Sequence, residues 1–150
     1  MSTMSEPTRF HFDEGNLLFP AGYEDRTVNT FVPPDPQTQP NLSIARDRFA
    51  TGEALPAYVA RQLALMKKKL PGYKAAEPVG IALDGAGMSG LVVNATYRSG
   101  TTTVHQRQAA FAIEGGRALV FTMSSARALD AAAESLWTTW LAELQLAPGA

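Results

Sequence analysis

GLVVNATYRSGTTTVHQRQAAFAIEGGRALVFTMSS, residues 90–125, is the stretch from which the fold is read. It divides into three runs, Leu91–Arg98, Thr101–Ile113 and Arg117–Ser124, separated by Ser99-Gly100 and Gly115-Gly116. Such dipeptides accept the positive φ of tight turns, so three consecutive antiparallel strands are predicted. Side chains alternate across a strand. Alternation assigns Leu91, Val93, Ala95, Tyr97, Ala109, Phe111, Ile113, Leu119, Phe121 and Met123 to a core face. The opposite face takes Val92, Asn94, Thr96, Val104, Gln106, Gln108, Ala110, Val120, Thr122 and Ser124.

That second face is small, apolar or hydrophilic but uncharged, and only Arg98 at a strand end departs from this. A solvated antiparallel face normally mixes Lys and Glu with Thr. Two readings follow. Either a helix of the same chain covers the face, or it docks an apolar segment that needs hydrogen bonds. His105 and Arg107 fall on the core-face parity, which implies a strand that begins beyond the sheet or a bulge that resets the alternation.

Working outward, Pro56–Leu70 reads as a helix, with Pro56 at a position where its missing donor is harmless. Val59, Leu63, Met66 and Leu70 form one apolar stripe, and Lys67, Lys68 and Lys69 in the last turn complement the helix dipole. Leu129–Leu146 is the second helix, with Leu129, Ala133, Leu136, Trp140 and Leu144 as its buried stripe and Trp137 off it. Asp130 is placed to cap it. Between the first helix and the three strands, Tyr73–Leu83 alternates as a further strand, with Pro78 implying an edge or a bulge.

Toward the N-terminus, residues 1–8 are expected to be a disordered tail, followed by one domain over residues 9–147. Arg9–Asp13 and Leu17–Phe19 suggest a hairpin turning at Gly15-Asn16. Arg26–Val32 and Asn41–Arg46 are strands, and the proline-rich Pro33–Pro40 between them is a loop. Strands, a helix, more strands and a closing helix make an α+β domain, an antiparallel sheet with both helices packed on it.

The 150 residues suit one domain with a real core, and a net charge of −1 offers no overall field for nucleic acid or anionic lipid. Cysteine is absent, which excludes disulfides and thiolate metal sites. Met1 to Phe12 has no apolar run and no window resembles a membrane span, so a cytoplasmic address is expected, neither exported nor membrane-inserted. His11 and His105 have no patterned carboxylate partners for a metal. Ser89 precedes a strand rather than a helix, and Gly85 and Gly87 are not followed by a phosphate-loop Lys. No catalytic residue, metal or cofactor is expected.

The chain resembles the DcrB-related family, whose fold is similar to that of PsbP, over roughly residues 10–146. The resemblance rests on Gly15-Asn16-Leu17-Leu18-Phe19-Pro20, Asp25-Arg26-Thr27-Val28-Asn29, and Asn41-Leu42-Ser43-Ile44-Ala45-Arg46-Asp47. Tyr58–Leu70 with Gln62 and the closing Pro71-Gly72, and the strand Val104-His105-Gln106-Arg107-Gln108-Ala109, complete it. Members without a signal look like the Eag chaperones of type VI secretion systems. The resemblance then implies a homodimer that binds the hydrophobic, transmembrane N-terminal helices of a secreted effector. It also implies a client surface at Val28, Thr30, Ser43, Ala45, Gln62, Met66, Gln106 and Gln108. Gln62 and Gln106 would be its hydrogen-bonding positions, Val28 and Met66 its apolar ones. Thr30 stands where an apolar residue would suit such a groove better. A small-ligand-binding or purely structural domain with the same concavity is the alternative.

Overall fold

The computed structural model describes residues 6–148. In chain order the elements are β1 (Thr8–Phe12), β2 (Gly15–Phe19), β3 (Asn29–Phe31), β4 (Asn41–Arg48), α1 (Leu55–Lys69), β5 (Lys74–Ala75), β6 (Val79–Leu83), a 3-10 turn (Asp84–Ala86), β7 (Met88–Ser99), β8 (Thr102–Ile113), β9 (Arg117–Ser125) and α2 (Ala131–Ala142). Seven strands form one antiparallel sheet in the order β3-β4-β9-β8-β7-β5, with β6 also paired to β7. The expected α+β class holds, with α1 on one face and α2 on the other.

The meander β7-β8-β9 is the spine, as its alternation predicts, but one assignment of faces is corrected. β7 and β8 meet at a two-residue turn, with Ser99 opposite Thr102. Partners across such a turn have opposite parity, so Leu91 faces Ala110, Val93 faces Gln108 and Ala95 faces Gln106. The β8-β9 loop has three residues, Ile113 opposite Arg117, and there parity is preserved. Leu91, Val93, Ala95 and Tyr97 therefore share a face with Gln106, Gln108, Ala110, Val120 and Thr122 rather than with Phe111 and Phe121.

That face packs against α1. Tyr58 and Val59 are buried against Val93, Ala110 and Ala118, with Leu63, Leu91 and Val120 partly buried around them. The opposite face holds the larger core. Met88, Ala109, Phe111, Phe121 and Met123 meet Ala133, Trp137 and Leu141 of α2. Of the expected α2 stripe, Ala133 lies in this core and Leu129, Trp140 and Leu144 pack against it, while Trp137 takes the place of Leu136, which is 37% exposed. Asp130 does cap α2, its carboxylate accepting the Ala133 N–H at 2.9 Å. Gly90 makes this core possible, since a Cβ there would lie 2.4 Å from the Ala110 carbonyl oxygen and 2.6 Å from the Phe111 ring.

His105 and Arg107 need neither a bulge nor a start beyond the sheet. β8 stays paired on both sides at His105, opposite Thr96 and Ser125. Arg107 accompanies Phe111 on the α2 face, where it makes a two-pronged pair with Glu134 of α2 at 2.5 and 2.6 Å. Its Nε donates to Asn94 Oδ1 at 2.7 Å, and its guanidinium lies over the Trp137 ring. The polar end of β8 is a clamp on α2.

Several boundaries differ from expectation, among them α2, which spans Ala131–Ala142 rather than Leu129–Leu146, and β4, which runs on to Arg48. The Tyr73–Leu83 strand is split by Pro78 into β5 and β6, which share one edge of β7. The strand expected over Arg26–Val32 shrinks to Asn29–Phe31, because the Asp25 carboxylate accepts the Thr27 N–H and hydroxyl and holds a turn there. The N-terminal hairpin turns at Asp13-Glu14, with Phe12 opposite Gly15. It begins at Thr8, within the segment expected as a tail, and residues 1–5 of that segment lie outside the described residues.

Candidate functional site

β4 joins the α1 face through β9, with Ser43 opposite Thr122 and Ala45 opposite Val120. One row thus crosses the sheet as Thr30, Ser43, Thr122, Gln108 and Val93. A cavity of about 190 Å³ opens between this face and α1. Tyr58, Val59, Gln62, Leu63 and Met66 line its helix side; Ala45, Asp47, Leu91, Val93, Gln108, Ala110 and Val120 line its sheet side. The face is therefore neither bare nor sealed: α1 covers it in part, and Ala45, Gln62, Met66 and Gln108 are half-buried.

Four of the eight residues expected at a client surface, Ala45, Gln62, Met66 and Gln108, come together in this cavity. Ser43 and Thr30 belong to the same face beside it, Thr30 in the exposed edge strand. Gln106 is one step along β8 on that face, opposite Ser124 and Ala95. Val28 precedes β3, is 56% exposed and does not line the cavity.

Among the described strand residues of this face, the single full charge is Asp47, which sequence reasoning missed. Asp47 has the parity of Ser43 and Ala45 and lies one residue past the expected end of the strand, which runs on to Arg48. Its carboxylate is well supplied with donors. Oδ2 accepts the Tyr58 hydroxyl at 2.9 Å and the Gln62 amide nitrogen at 3.4 Å; Oδ1 accepts the Arg48 N–H at 2.8 Å. Burial, and then the Asp47 carboxylate, push the Tyr58 hydroxyl above its ordinary 10.0. Outside the cavity, Arg61 covers the Tyr58 ring and pairs with Glu53 at 2.8 Å. That pair and the Ala50 N–H hold the Glu53 carboxyl down from 4.5 to about 2.

The remaining polar groups are neutral. Gln108 Nε2 donates to the Thr122 hydroxyl at 3.1 Å. Gln106 Oε1 and the Tyr73 hydroxyl are buried without a hydrogen-bond partner among the described residues. Buried polar atoms of this kind are uncommon, and an ordered water is one way of satisfying them.

A sequence profile of the DcrB family matches residues 14–143, from the β1-β2 turn through α2. The chain belongs to the DcrB family. It is 33% identical over 69 residues to Effector EagT6 of Pseudomonas aeruginosa, an alignment covering 45% of this chain and 48% of that protein. The match thus spans about half of the curated relative. The fold is also that of the Pseudomonas aeruginosa protein of unknown function PA94, with a TM-score of 0.71 and 22% identity. That likeness covers 98% of this chain and 99% of the other. No helix of the described residues is long and apolar enough to cross a membrane.

Proposed function

We propose that this DcrB-family chain is an Eag-type chaperone. It binds the hydrophobic, transmembrane-destined N-terminal helices of a type VI secretion effector and shields them before export. It does this as a cytoplasmic homodimer and without enzymatic chemistry. The observation that carries the reading is the cavity beneath α1, an apolar concavity edged by the amides of Gln62 and Gln108. Transmembrane helices associate through close packing, small residues and hydrogen bonds from neutral polar side chains. A surface that replaces those contacts needs apolar area, amides and hydroxyls, and little unpaired charge. The partial likeness to Effector EagT6 supports the same reading.

The small-ligand alternative is weakened by size, since small-molecule pockets run from about 300 to 1,000 Å³ and this cavity is about 190 Å³. A helix needs no enclosed pocket, only a groove it can press a few side chains into. The homodimer is supported by the β1-β2 hairpin. Phe10, Phe12, Leu17 and Phe19 share one side of it, and Leu17 is 56% exposed. A two-stranded hairpin alone is marginal in water, so a second copy is its natural cover.

Co-expression with an effector N-terminal segment carrying two apolar helices is the test. The expected result is a soluble complex on size exclusion. An aggregated segment left behind by a soluble, folded chaperone would overturn the reading.

A further inference from the structure

The amides of the cavity are oriented, and this specifies the client's chemistry. A carboxylate only accepts hydrogen bonds, so the Gln62 group facing Asp47 is its NH2. The Gln62 carbonyl oxygen is thereby left for another partner. Gln108 uses its NH2 on the Thr122 hydroxyl, which leaves its carbonyl free as well. Both cavity amides thus have acceptor capacity to spare, and each has one of its two N–H groups engaged within the protein.

We infer that Asp47 is a positioning residue: it fixes the Gln62 amide so that the groove presents acceptors, and the groove selects apolar helices carrying a hydroxyl donor. The inference rests on reading the cavity as a helix-binding site. Backbone N–H groups inside an apolar helix are already bonded within it, so the client can supply donors only from side chains. Serine and threonine do so while remaining small enough to sit close to a narrow cavity. A client group that only accepts would leave the amide carbonyls desolvated and without a donor.

The test uses three labelled synthetic 20-residue Leu/Ala helices in mild detergent, with serine, O-methylserine or alanine at the centre. O-methylserine keeps the oxygen and lacks the donor. Binding to the full chain is followed by anisotropy. Serine is expected to bind roughly tenfold tighter than the other two, the scale of one hydrogen bond. Asp47→Asn frees the Gln62 amide to turn, and the serine preference, read as the ratio of serine to alanine affinities within that variant, should shrink. If that variant does not fold, Gln62→Leu is the substitute and should flatten the ranking in the same way. Equal binding of serine and O-methylserine helices overturns the inference, as does an unchanged preference in a folded Asp47→Asn or Gln62→Leu protein. Binding of none of the three helices removes the helix-binding reading itself, and the inference with it.

Discussion

The Tyr58 hydroxyl donates to Asp47 Oδ2 at 2.9 Å and so ties the first turns of α1 to the end of β4. The ring is 3% exposed and meets Phe49 edge-on at 5.1 Å. This is the hinge at which helix and sheet meet before the cavity opens along Gln62 and Met66. Tyr58→Phe keeps the packing and removes one donor from a part-buried carboxylate. The expected loss is about 1–3 kcal/mol in denaturant unfolding, the usual range for a buried polar group deprived of its partner. Tyr58→Ala adds a cavity and should cost about 3–5 kcal/mol. A Phe variant as stable as the parent would mean that the hydroxyl does not hold the helix.

Acid should loosen both helices. The Arg61 guanidinium and the Ala50 N–H hold Glu53 at about 2, and Arg107 holds Glu134 below 4.5. A carboxylate depressed in the folded state stabilises fully above its unfolded value and loses that contribution as pH falls through its folded value. The window for Glu53 therefore runs from 4.5 down to about 2. Tm should fall across that window, and less steeply in Glu53→Gln. An identical acid profile for parent and variant would show that the pair carries no linkage.

The meander, both helices and the proline loop are legible in the sequence because each depends on local signals: alternation, Pro56, Asp130 and clustered prolines. The facing of β7 is not, since alternation within a strand does not carry parity across a turn. With Gly100-Thr101 as the turn, odd positions of β7 meet even positions of β8. In α2, Leu129, Ala133, Trp140 and Leu144 of the expected stripe do pack on the core, and the exchange is at one position, where alanines and threonines between the large residues blur the helical period. Trp137, not Leu136, proves to face the core. At the site, Ala45, Gln62, Met66 and Gln108 converge because strand parity and helical spacing are both local. Asp47 was missed because it lies past the expected strand end, and its partner Tyr58 lies on the flank of the expected stripe. Val28 falls outside because the Asp25 turn starts β3 late.

Gly90→Ala should damage the core out of proportion to one methyl group. The new Cβ would meet the Ala110 carbonyl at 2.4 Å, and backbone cannot swing aside as a flexible side chain can. Overpacking of this kind costs about 1–3 kcal/mol. The measurement is the denaturant midpoint. An unchanged midpoint would mean that β7 and β8 shift apart freely.

Self-association should pass through the hairpin. Leu17→Ser is expected to shift sedimentation toward monomer at micromolar concentration while far-ultraviolet dichroism stays the same, because the main sheet does not include β1 or β2. A dimer of undiminished strength would place the interface elsewhere, and a parent that is monomeric throughout would remove the homodimer from the proposal.

Charge placed in the cavity should separate binding from folding. Gln62→Glu is a poor choice, because the new carboxylate would face Asp47. Gln108→Glu is cleaner. The Thr122 hydroxyl now accepts from Gln108 at 3.1 Å and can rotate to donate instead, so the local bond survives. Gln108 is half-buried in the free protein, and its replacement keeps access to water. When an apolar helix covers it, that charge loses water with no opposite charge beside it, at a cost of several kcal/mol. Each 1.4 kcal/mol is a factor of ten, so capture of an apolar segment should weaken by roughly a hundredfold or more. Gln108→Ala removes one hydrogen bond and should weaken it by about tenfold. Co-purification and thermal melting of the free variants separate the outcomes. Normal capture by a folded Gln108→Glu protein would show that the client does not cover this strand, and the helix-binding reading would fall.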